Sequence, residues 1–146
     1  MKAIVVTDQA AGTAGMKLVE RPQPPAAIND VIVQVHASGF VPTELEWPST
    51  WTDRRERNRT PSILGHELAG VVTGLGYGTT GLSVGQRVFG LTDSYRGGTL
   101  AEYVAVEARN LAPPTVRRRS TSARRSSSTS RSTPNIHEPC TMPFRC

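Results

Sequence analysis

The chain has 146 residues, 37% of them hydrophobic, and a formal net charge of +5 at pH 7. We expect one domain with one core, because a two-domain enzyme of ordinary size does not fit in this length. No apolar run approaches the roughly 20 residues of a membrane helix, and the short run at residues 3–6 does not make a signal peptide. We therefore expect a cytoplasmic protein with no membrane partner.

The charge is distributed unevenly along the chain. Residues 1–112 hold 10 Lys or Arg and 11 Asp or Glu, a net of −1, whereas residues 113–146 hold 7 Arg and one acid, a net of +6. The basic character that suggests a polyanionic partner is thus confined to the last quarter. Both cysteines, Cys140 and Cys146, also lie there, so we expect no disulfide in residues 1–112.

Residues 1–112 have the periodicity of strands. The clearest alternation is VIVQVHA at 31–37, which predicts a strand with Val31, Val33, Val35 and Ala37 on one face. Further β-rich runs bounded by turn residues predict strands at 2–7, 16–20, 69–75, 86–90 and 100–106. About six short strands with Gly-rich turns favour a small, mainly β barrel or sandwich.

One helical turn and one change of composition complete the predicted organisation. Residues 42–46 begin with Pro, which is tolerated at the first position of a helix, and predict a single turn. Among the 19 residues at 115–133, 11 are Ser or Thr and 6 are Arg. Such a segment cannot offset the entropy cost of folding. We therefore predict a folded domain at 1–112 and a disordered, Arg/Ser-rich tail at 113–146.

The densest motif of the chain is PSILGHELAGVV at 61–72, followed by LSVGQRV at 82–88. DVIVQVHASG at 30–39 precedes it and GGTLAEYV at 97–104 follows. In this order the motifs resemble the medium-chain dehydrogenase/reductase superfamily, which includes zinc alcohol dehydrogenases and quinone oxidoreductases. The resemblance covers residues 1 to about 112. It implies the GroES-like N-terminal catalytic domain, a partly open β-barrel, and hydride transfer to or from an alcohol, carbonyl or quinone.

The resemblance also implies NAD(P), which superfamily members bind in a Rossmann domain that follows this one. We expect that domain to be absent from the 146 residues, and the chain alone to be inactive. GYGTTG at 76–81 matches G-x-G-x-x-G, but a dinucleotide site also needs a helix after the glycines and an acid about 20 residues on. Gly85 and another predicted strand follow here instead. We therefore interpret 76–81 as a turn and expect no cofactor-binding residue.

The residues that match the superfamily's zinc ligands are incomplete. Val41 stands at the position of the first ligand, a Cys, and an alkyl side chain cannot bind a metal. His66 matches the second ligand, and Glu44 matches the carboxylate that orients it. A catalytic zinc needs three protein ligands, so we expect no metal and a zinc-independent reaction. His66 is the only zinc ligand of the superfamily that this sequence retains.

The candidate catalytic residues are Thr43, His66 and Glu67. The resemblance places Thr43 at the hydroxyl that relays the alcohol proton in the zinc enzymes. Without a metal we expect it to bond to a carbonyl oxygen of the substrate, and a cap or turn role is the alternative. His66 and Glu67 act on the substrate or, alternatively, are retained for structure, bonding to neighbouring loops and lining the cleft. We expect the pocket for a small-molecule substrate to be lined by Val41, Glu44, Trp47 and Trp51. Core packing is the alternative for the two tryptophans.

Arginines outside the motifs receive simpler interpretations. Arg54, Arg55, Arg57 and Arg59 alternate with acids in what we expect to be a solvated loop, and phosphate contact is the alternative. A second functional hypothesis is a non-enzymatic GroES-like barrel whose basic tail binds nucleic acid through its Arg-Ser dipeptides. The tail lacks the interleaved aromatic residues that stack on bases, so we expect no nucleic-acid partner.

Two properties of the chain stay open at this point, the origin of its tail and its oligomeric state. His137, Cys140 and Cys146 in the tail lack a zinc-finger spacing, so we expect no metal site there. The composition changes abruptly after Pro113, which also fits a frameshifted coding sequence. Superfamily members often form homo-oligomers, and the oligomeric state of this chain is open.

Overall fold

The computed structural model describes residues 1–114. The predicted disorder of the tail, its basic segment and the His137, Cys140 and Cys146 set lie outside these residues. The described strands are β1 (Lys2–Val6), β2 (Lys17–Glu20), β3 (Asp30–Gly39), β4 (Ser62–Ile63), β5 (Glu67–Leu75), β6 (Arg87–Leu91), β7 (Tyr103–Glu107) and β8 (Leu111–Ala112). The helical elements are the one-turn helix α1 (Pro48–Trp51) and the 3₁₀ turns Gly12–Gly15, Pro42–Glu46 and Ala108–Asn110. No helix among residues 1–114 is long and apolar enough to cross a membrane.

The strands form two antiparallel sheets. One has three strands in the order β2-β1-β4, and the other has five in the order β7-β3-β5-β6-β8. Residues 100–102 link them, because Ala101 bridges to Ala3 while the Val35 N–H donates to the Glu102 carbonyl at 2.9 Å. The larger sheet curls into a half-barrel. The prediction of a mainly β, partly open barrel is therefore confirmed.

Six valines and one leucine on neighbouring strands build the core of the five-stranded sheet. The buried members are Val31, Val33, Leu68, Val72, Val88, Val104 and Val106. A smaller cluster of Val6, Leu45 and Leu64 lies beside the three-stranded sheet. Burying each such side chain contributes about 1.5–3 kcal/mol. Leu64 of the smaller cluster and Leu68 of the larger one flank the segment that carries His66.

The alternation predicted for β3 holds only over its first half. Val31 and Val33 are fully buried, whereas Ala37 is exposed and does not share their buried face. The cause is a β-bulge: Val35 pairs with Gly70 and Ala37 pairs with Ala69, which leaves His36 as the extra residue. A bulge shifts the following side chains out of the simple alternation. The prediction for Ala37 is therefore wrong.

Other differences from the predicted elements arise from short segments. The run at 100–106 enters β7 only at Tyr103, because residues 100–102 bond to β1 instead. The two-residue strands β4 and β8 and the single turn of α1 are too short to show a periodicity. Pro42–Glu46 forms the predicted turn, as a 3₁₀ helix.

The glycine pattern at 76–81 lies in the turn between β5 and β6. The Gly76 N–H donates to the Asp30 carbonyl at 2.7 Å. A Cβ at Gly76 would lie 1.9 Å from the Ala27 carbonyl oxygen, so the close approach of the two main chains requires glycine there. The interpretation of 76–81 as a turn is confirmed.

Candidate functional site

A cavity of about 380 Å³ brings together five of the seven predicted site residues. It is bounded by the 3₁₀ turn Pro42–Glu46, the start of β5 and the loop after β6. Its lining residues are Gly39, Phe40, Val41, Glu44, Trp47, His66, Glu67, Leu91, Thr92 and Ser94. Four apolar side chains and five polar ones thus line the cavity, a mixture that suits a small molecule with a polar group.

A glycine places His66 at the cavity. Gly65 has a φ of +85°, which a side chain would strain, and a Cβ there would lie 2.6 Å from Thr99 Oγ1 and 2.9 Å from Ser38 Oγ. Those two hydroxyls bond to each other at 2.7 Å. The chain therefore turns sharply before His66, whose carbonyl accepts a bond from the Thr92 N–H at 2.8 Å.

Glu44 is a buried carboxylate that ties the 3₁₀ turn to this bend. Its side chain is 4% exposed, and Oε2 accepts a bond from the Gly65 N–H at 2.8 Å while Oε1 accepts one from the Val41 N–H at 3.2 Å. Its distance to His66 Nε2 is 3.7 Å, which is too long for a hydrogen bond. Glu44 therefore positions the main chain beside His66 and does not bond to the ring.

The His66 ring lies between an aromatic and a hydroxyl. Trp47 stacks on it with 5.2 Å between ring centroids and 20° between planes, and Thr92 Oγ1 lies 3.3 Å from Nδ1. Burial lowers the pKa of His66 below its ordinary 6.5, the Arg59 cation lowers it further, and the carboxylates of Glu44 and Asp93 act in the opposite direction. A pKa below 6.5 makes the neutral ring, with one donor and one acceptor nitrogen, the main form at pH 7.

Glu67 lies at the edge of the cavity, where β5 begins. It is exposed and packs against Gly39, its partner in the β3–β5 register. A Cβ at Gly39 would lie 2.3 Å from Glu67 Oε2, so a larger residue there would displace this exposed carboxylate. Glu67 also lines a neighbouring groove of about 870 Å³, together with the exposed Phe89 and Leu91.

The structure does not bring Thr43 or Trp51 to this cavity. Thr43 is exposed on the 3₁₀ turn, where its two neighbours in the chain are Pro42 and the buried Glu44. Trp51 packs on the cluster around Leu64, and its Nε1–H donates to the Leu45 carbonyl at 2.8 Å. This is the core-packing alternative for Trp51.

Sequence reasoning missed the lining residues Leu91, Thr92 and Ser94 and misjudged one arginine. Arg54, Arg55 and Arg57 are exposed as expected, but the prediction is wrong for Arg59, whose guanidinium is partly buried against main-chain carbonyls. Loop residues of this kind carry no periodicity or motif. Only the β5–β6 pairing, which sets Glu67 opposite Leu91, brings the loop after β6 to His66.

The donors near His66 do not fit a catalytic zinc. Within residues 1–114 no group of three His, Cys, Asp or Glu side chains could hold a metal ion. Val41 offers no donor atom, and both oxygens of Glu44 already accept main-chain N–H bonds. The described part of the chain also does not fit a dinucleotide at 76–81, because β6 and not a helix follows that turn.

Comparison with known proteins shows which family has this fold and these motifs. The family model of the alcohol dehydrogenase GroES-like domain matches residues 27–116. The chain is 38% identical over 91 residues to an L-threonine 3-dehydrogenase of Saccharopolyspora erythraea and 40% identical over 93 residues to one of Cutibacterium acnes, covering 62% of this chain in each case.

Solved structures agree with this match. An alcohol dehydrogenase superfamily protein from Novosphingobium aromaticivorans superposes with a TM-score of 0.64 at 35% identity, over 77% of this chain and 34% of that one. The quinone oxidoreductase from Coxiella burnetii superposes with a TM-score of 0.64 at 26% identity, over 77% of this chain and 36% of that one.

The chain spans about a quarter of the length of the two curated relatives, since it covers 25% of each. The family match itself extends over more than half of this chain and contains the cavity from Gly39 to Ser94. The chain belongs to the alcohol dehydrogenase GroES-like domain family, within the medium-chain dehydrogenase/reductase superfamily of oxidoreductases.

Proposed function

We propose that residues 1–112 form the substrate-side domain of an NAD(P)-dependent oxidoreductase that transfers hydride to or from an alcohol, carbonyl or quinone without zinc. The observation that carries this proposal is the environment of His66. Val41 stands where the superfamily's thiolate ligand would be, and Trp47 stacks on the ring. The cofactor supplies or accepts the hydride, and hydride transfer requires the part of the relatives that this chain does not cover.

The cavity residues divide into those that exclude water and those that orient the substrate. Phe40, Val41 and Trp47 provide apolar surface. This surface excludes water, which strengthens hydrogen bonds that the substrate forms beside it. The neutral imidazole of His66 and the hydroxyl of Thr92 lie beside this surface and provide bonds for a substrate oxygen. Thr43 lies outside the cavity, and its bond to a carbonyl oxygen of the substrate stays a prediction.

The charges of the lining favour a neutral substrate. Among the described lining residues there is no Lys or Arg, while Glu44 and Glu67 are acidic. An amino-acid substrate such as that of the L-threonine 3-dehydrogenase relatives is a zwitterion: these acids would attract its ammonium group, but its carboxylate would have no cationic partner among the lining residues. An uncharged ketone or quinone meets no such cost.

Ligand binding to the 146-residue protein tests this proposal. Cyclohexanone and duroquinone are expected to shift the amide NMR signals of His66, Thr92 and Ser94, and L-threonine is expected to leave them unchanged. Shifts caused by L-threonine alone would contradict the proposed substrate class. NAD(P)H oxidation by the 146-residue chain with either neutral probe would contradict the proposed division of labour.

Zinc titration tests the metal-free chemistry. The variant Cys140→Ser/Cys146→Ser removes both thiols of the chain, which bind zinc most strongly, and the His66→Ala comparison identifies zinc held at the cavity. We expect no stoichiometric zinc in this protein by elemental analysis. One zinc per chain that disappears in a His66→Ala version would overturn the zinc-independent proposal.

A further inference from the structure

Arg59 is held by main-chain oxygens of two separate segments. It lies in the loop between α1 and β4, and its own N–H donates to the Trp51 carbonyl at 2.9 Å. The guanidinium donates to the Ser49 carbonyl, to the Ser94 carbonyl at 2.9 Å and to the Arg96 carbonyl at 2.5 Å. A planar fork with five N–H donors can reach several carbonyls at once, whereas a Lys ammonium cannot.

Of the two segments that Arg59 joins, one lines the cavity and the other directly follows a lining residue. Ser49 lies in α1, directly after the stretch that carries Trp47, and Ser94 lies in the loop after β6 and itself lines the cavity. Neither segment belongs to a sheet, so sheet pairing does not hold one against the other. The guanidinium forms a direct link between them.

The far side of this link is anchored in the core of the five-stranded sheet. Arg96, whose carbonyl accepts a bond from Arg59, forms a two-pronged ion pair with Asp30, including Nη1 to Oδ1 at 2.9 Å. Asp30 is 1% exposed at the start of β3. The loop after β6 is thereby fixed to the sheet, and Arg59 transmits that position to α1.

We propose that Arg59 is a positioning residue for the substrate cavity. Its guanidinium holds the α1 segment against the loop after β6 and so keeps Trp47 stacked on His66. The link itself is independent of any reaction, and its importance for a substrate rests on the proposed function. The partly buried cation is stabilised by carbonyl dipoles, so its removal leaves three acceptors without this donor and loosens both segments.

Fluorescence of Trp47 tests the proposal without substrate or cofactor. The chain has two tryptophans, so Trp51→Phe leaves Trp47 as the only one. In that background the variants are Arg59→Met, which removes the fork at similar volume, and Arg59→Lys, which keeps the charge. Arg55→Met is the matched control, because Arg55 is exposed in the same loop.

Acrylamide quenching is the measurement. We expect the quenching constant of Trp47 to rise about twofold in Arg59→Met and less in Arg59→Lys, with far-UV circular dichroism unchanged. Arg55→Met is expected to match the parent. Unchanged quenching in a folded Arg59→Met protein would overturn the proposal.

Arg59→Lys decides the question if Arg59→Met does not fold. Its quenching constant is expected to exceed that of the parent and of Arg55→Met, and equality with them would overturn the proposal. If quenching rises but neither cyclohexanone nor duroquinone binds the parent protein, the proposed function fails while the positioning role of Arg59 stands.

Discussion

The sheet core and the cavity wall are held together by different kinds of contact. In the five-stranded sheet, buried side chains such as Val33, Val72 and Val104 pack against one another across paired strands. In the cavity wall, polar side chains bond to the main chain of distant loops, as Glu44 does to Gly65 and Arg59 does to the Ser94 carbonyl. Packing sets the stability of the first region, whereas directional bonds set the shape of the second.

This difference indicates how each region should respond to substitution. Loss of a packed group lowers the free energy of unfolding of the whole domain in proportion to the apolar volume removed. Loss of a directional bond leaves a buried polar group unpaired and shifts a loop. One group belongs to both regions: Asp30 is buried at the end of the sheet and holds the loop after β6 through Arg96.

Asp30→Asn should therefore have the largest effect. It leaves the Arg96 guanidinium without its buried carboxylate, and we expect a loss of about 3 kcal/mol in the free energy of unfolding at pH 7, measured in urea. Asp53→Asn is the control, because Asp53 also pairs with an arginine, the exposed Arg57. If Asp30→Asn lowers the free energy of unfolding no more than the control does, Asp30 does not connect the sheet core to the loop after β6.

The same carboxylate predicts a pH dependence. The hydrogen bond from Arg96 holds the pKa of Asp30 below its ordinary value, so folding favours the ionised form. Its contribution is present above the unfolded pKa of about 3.9 and is lost as the pH falls through the lower folded pKa. The stability difference between the parent and Asp30→Asn should thus shrink below about pH 4, and a constant difference from pH 7 to pH 3 would contradict the assignment.

Val33→Ala tests the packed region. Val33 is fully buried, and the loss of two methyl groups with a residual cavity should cost about 2 kcal/mol of unfolding free energy. Val84→Ala, at an exposed valine, should change it by less than about 0.5 kcal/mol. Equal effects at the two positions in urea denaturation would show that packing does not dominate the sheet.

Glu44→Gln tests the directional region. A glutamine has one acceptor oxygen, so one of the N–H groups of Val41 and Gly65 loses its partner, and we expect a loss of about 1.5 kcal/mol. Glu46→Gln is the control in the same turn, at an exposed position. Amide hydrogen exchange at Gly65 should be faster in Glu44→Gln and unchanged in Glu46→Gln. Equal exchange rates in the two variants would contradict the proposed role of the Glu44 carboxylate in holding Gly65.

Trp47→Leu should have the smallest effect on stability, below about 1 kcal/mol, because Trp47 is 38% exposed. It should nevertheless raise the pKa of His66 toward 6.5, since burial is the main cause that lowers this pKa. Titration of the His66 ring signals by NMR measures the shift, with Tyr77→Leu at a highly exposed residue as the control. A lower pKa of His66 in Trp47→Leu would contradict the conclusion that the stacked Trp47 buries the His66 ring.

Features of the fold that depend on neighbouring residues could be predicted from the sequence, whereas features that depend on strand pairing could not. Alternation predicted the buried face at Val31 and Val33, and a Pro at the first position predicted the turn Pro42–Glu46, because both patterns are local. The bulge at His36 broke the same alternation, since it depends on how β3 pairs with β5. The motif around His66 located the candidate site, and the opposite wall at Thr92 and Ser94 had no local pattern.

By itself the sequence determined the mainly β fold and the superfamily, because strand periodicity and the glycine-rich motif are properties of neighbouring residues. Only the tertiary structure decided which side chains share the cavity. In it, Trp47 stacks on His66 and Trp51 packs in the core. Arg59, expected at the surface from the sequence, bonds to the main chain of two separate segments. The physical reason is that strand pairing sets long-range position, and polar side chains then bond to whichever main-chain groups that pairing brings within reach.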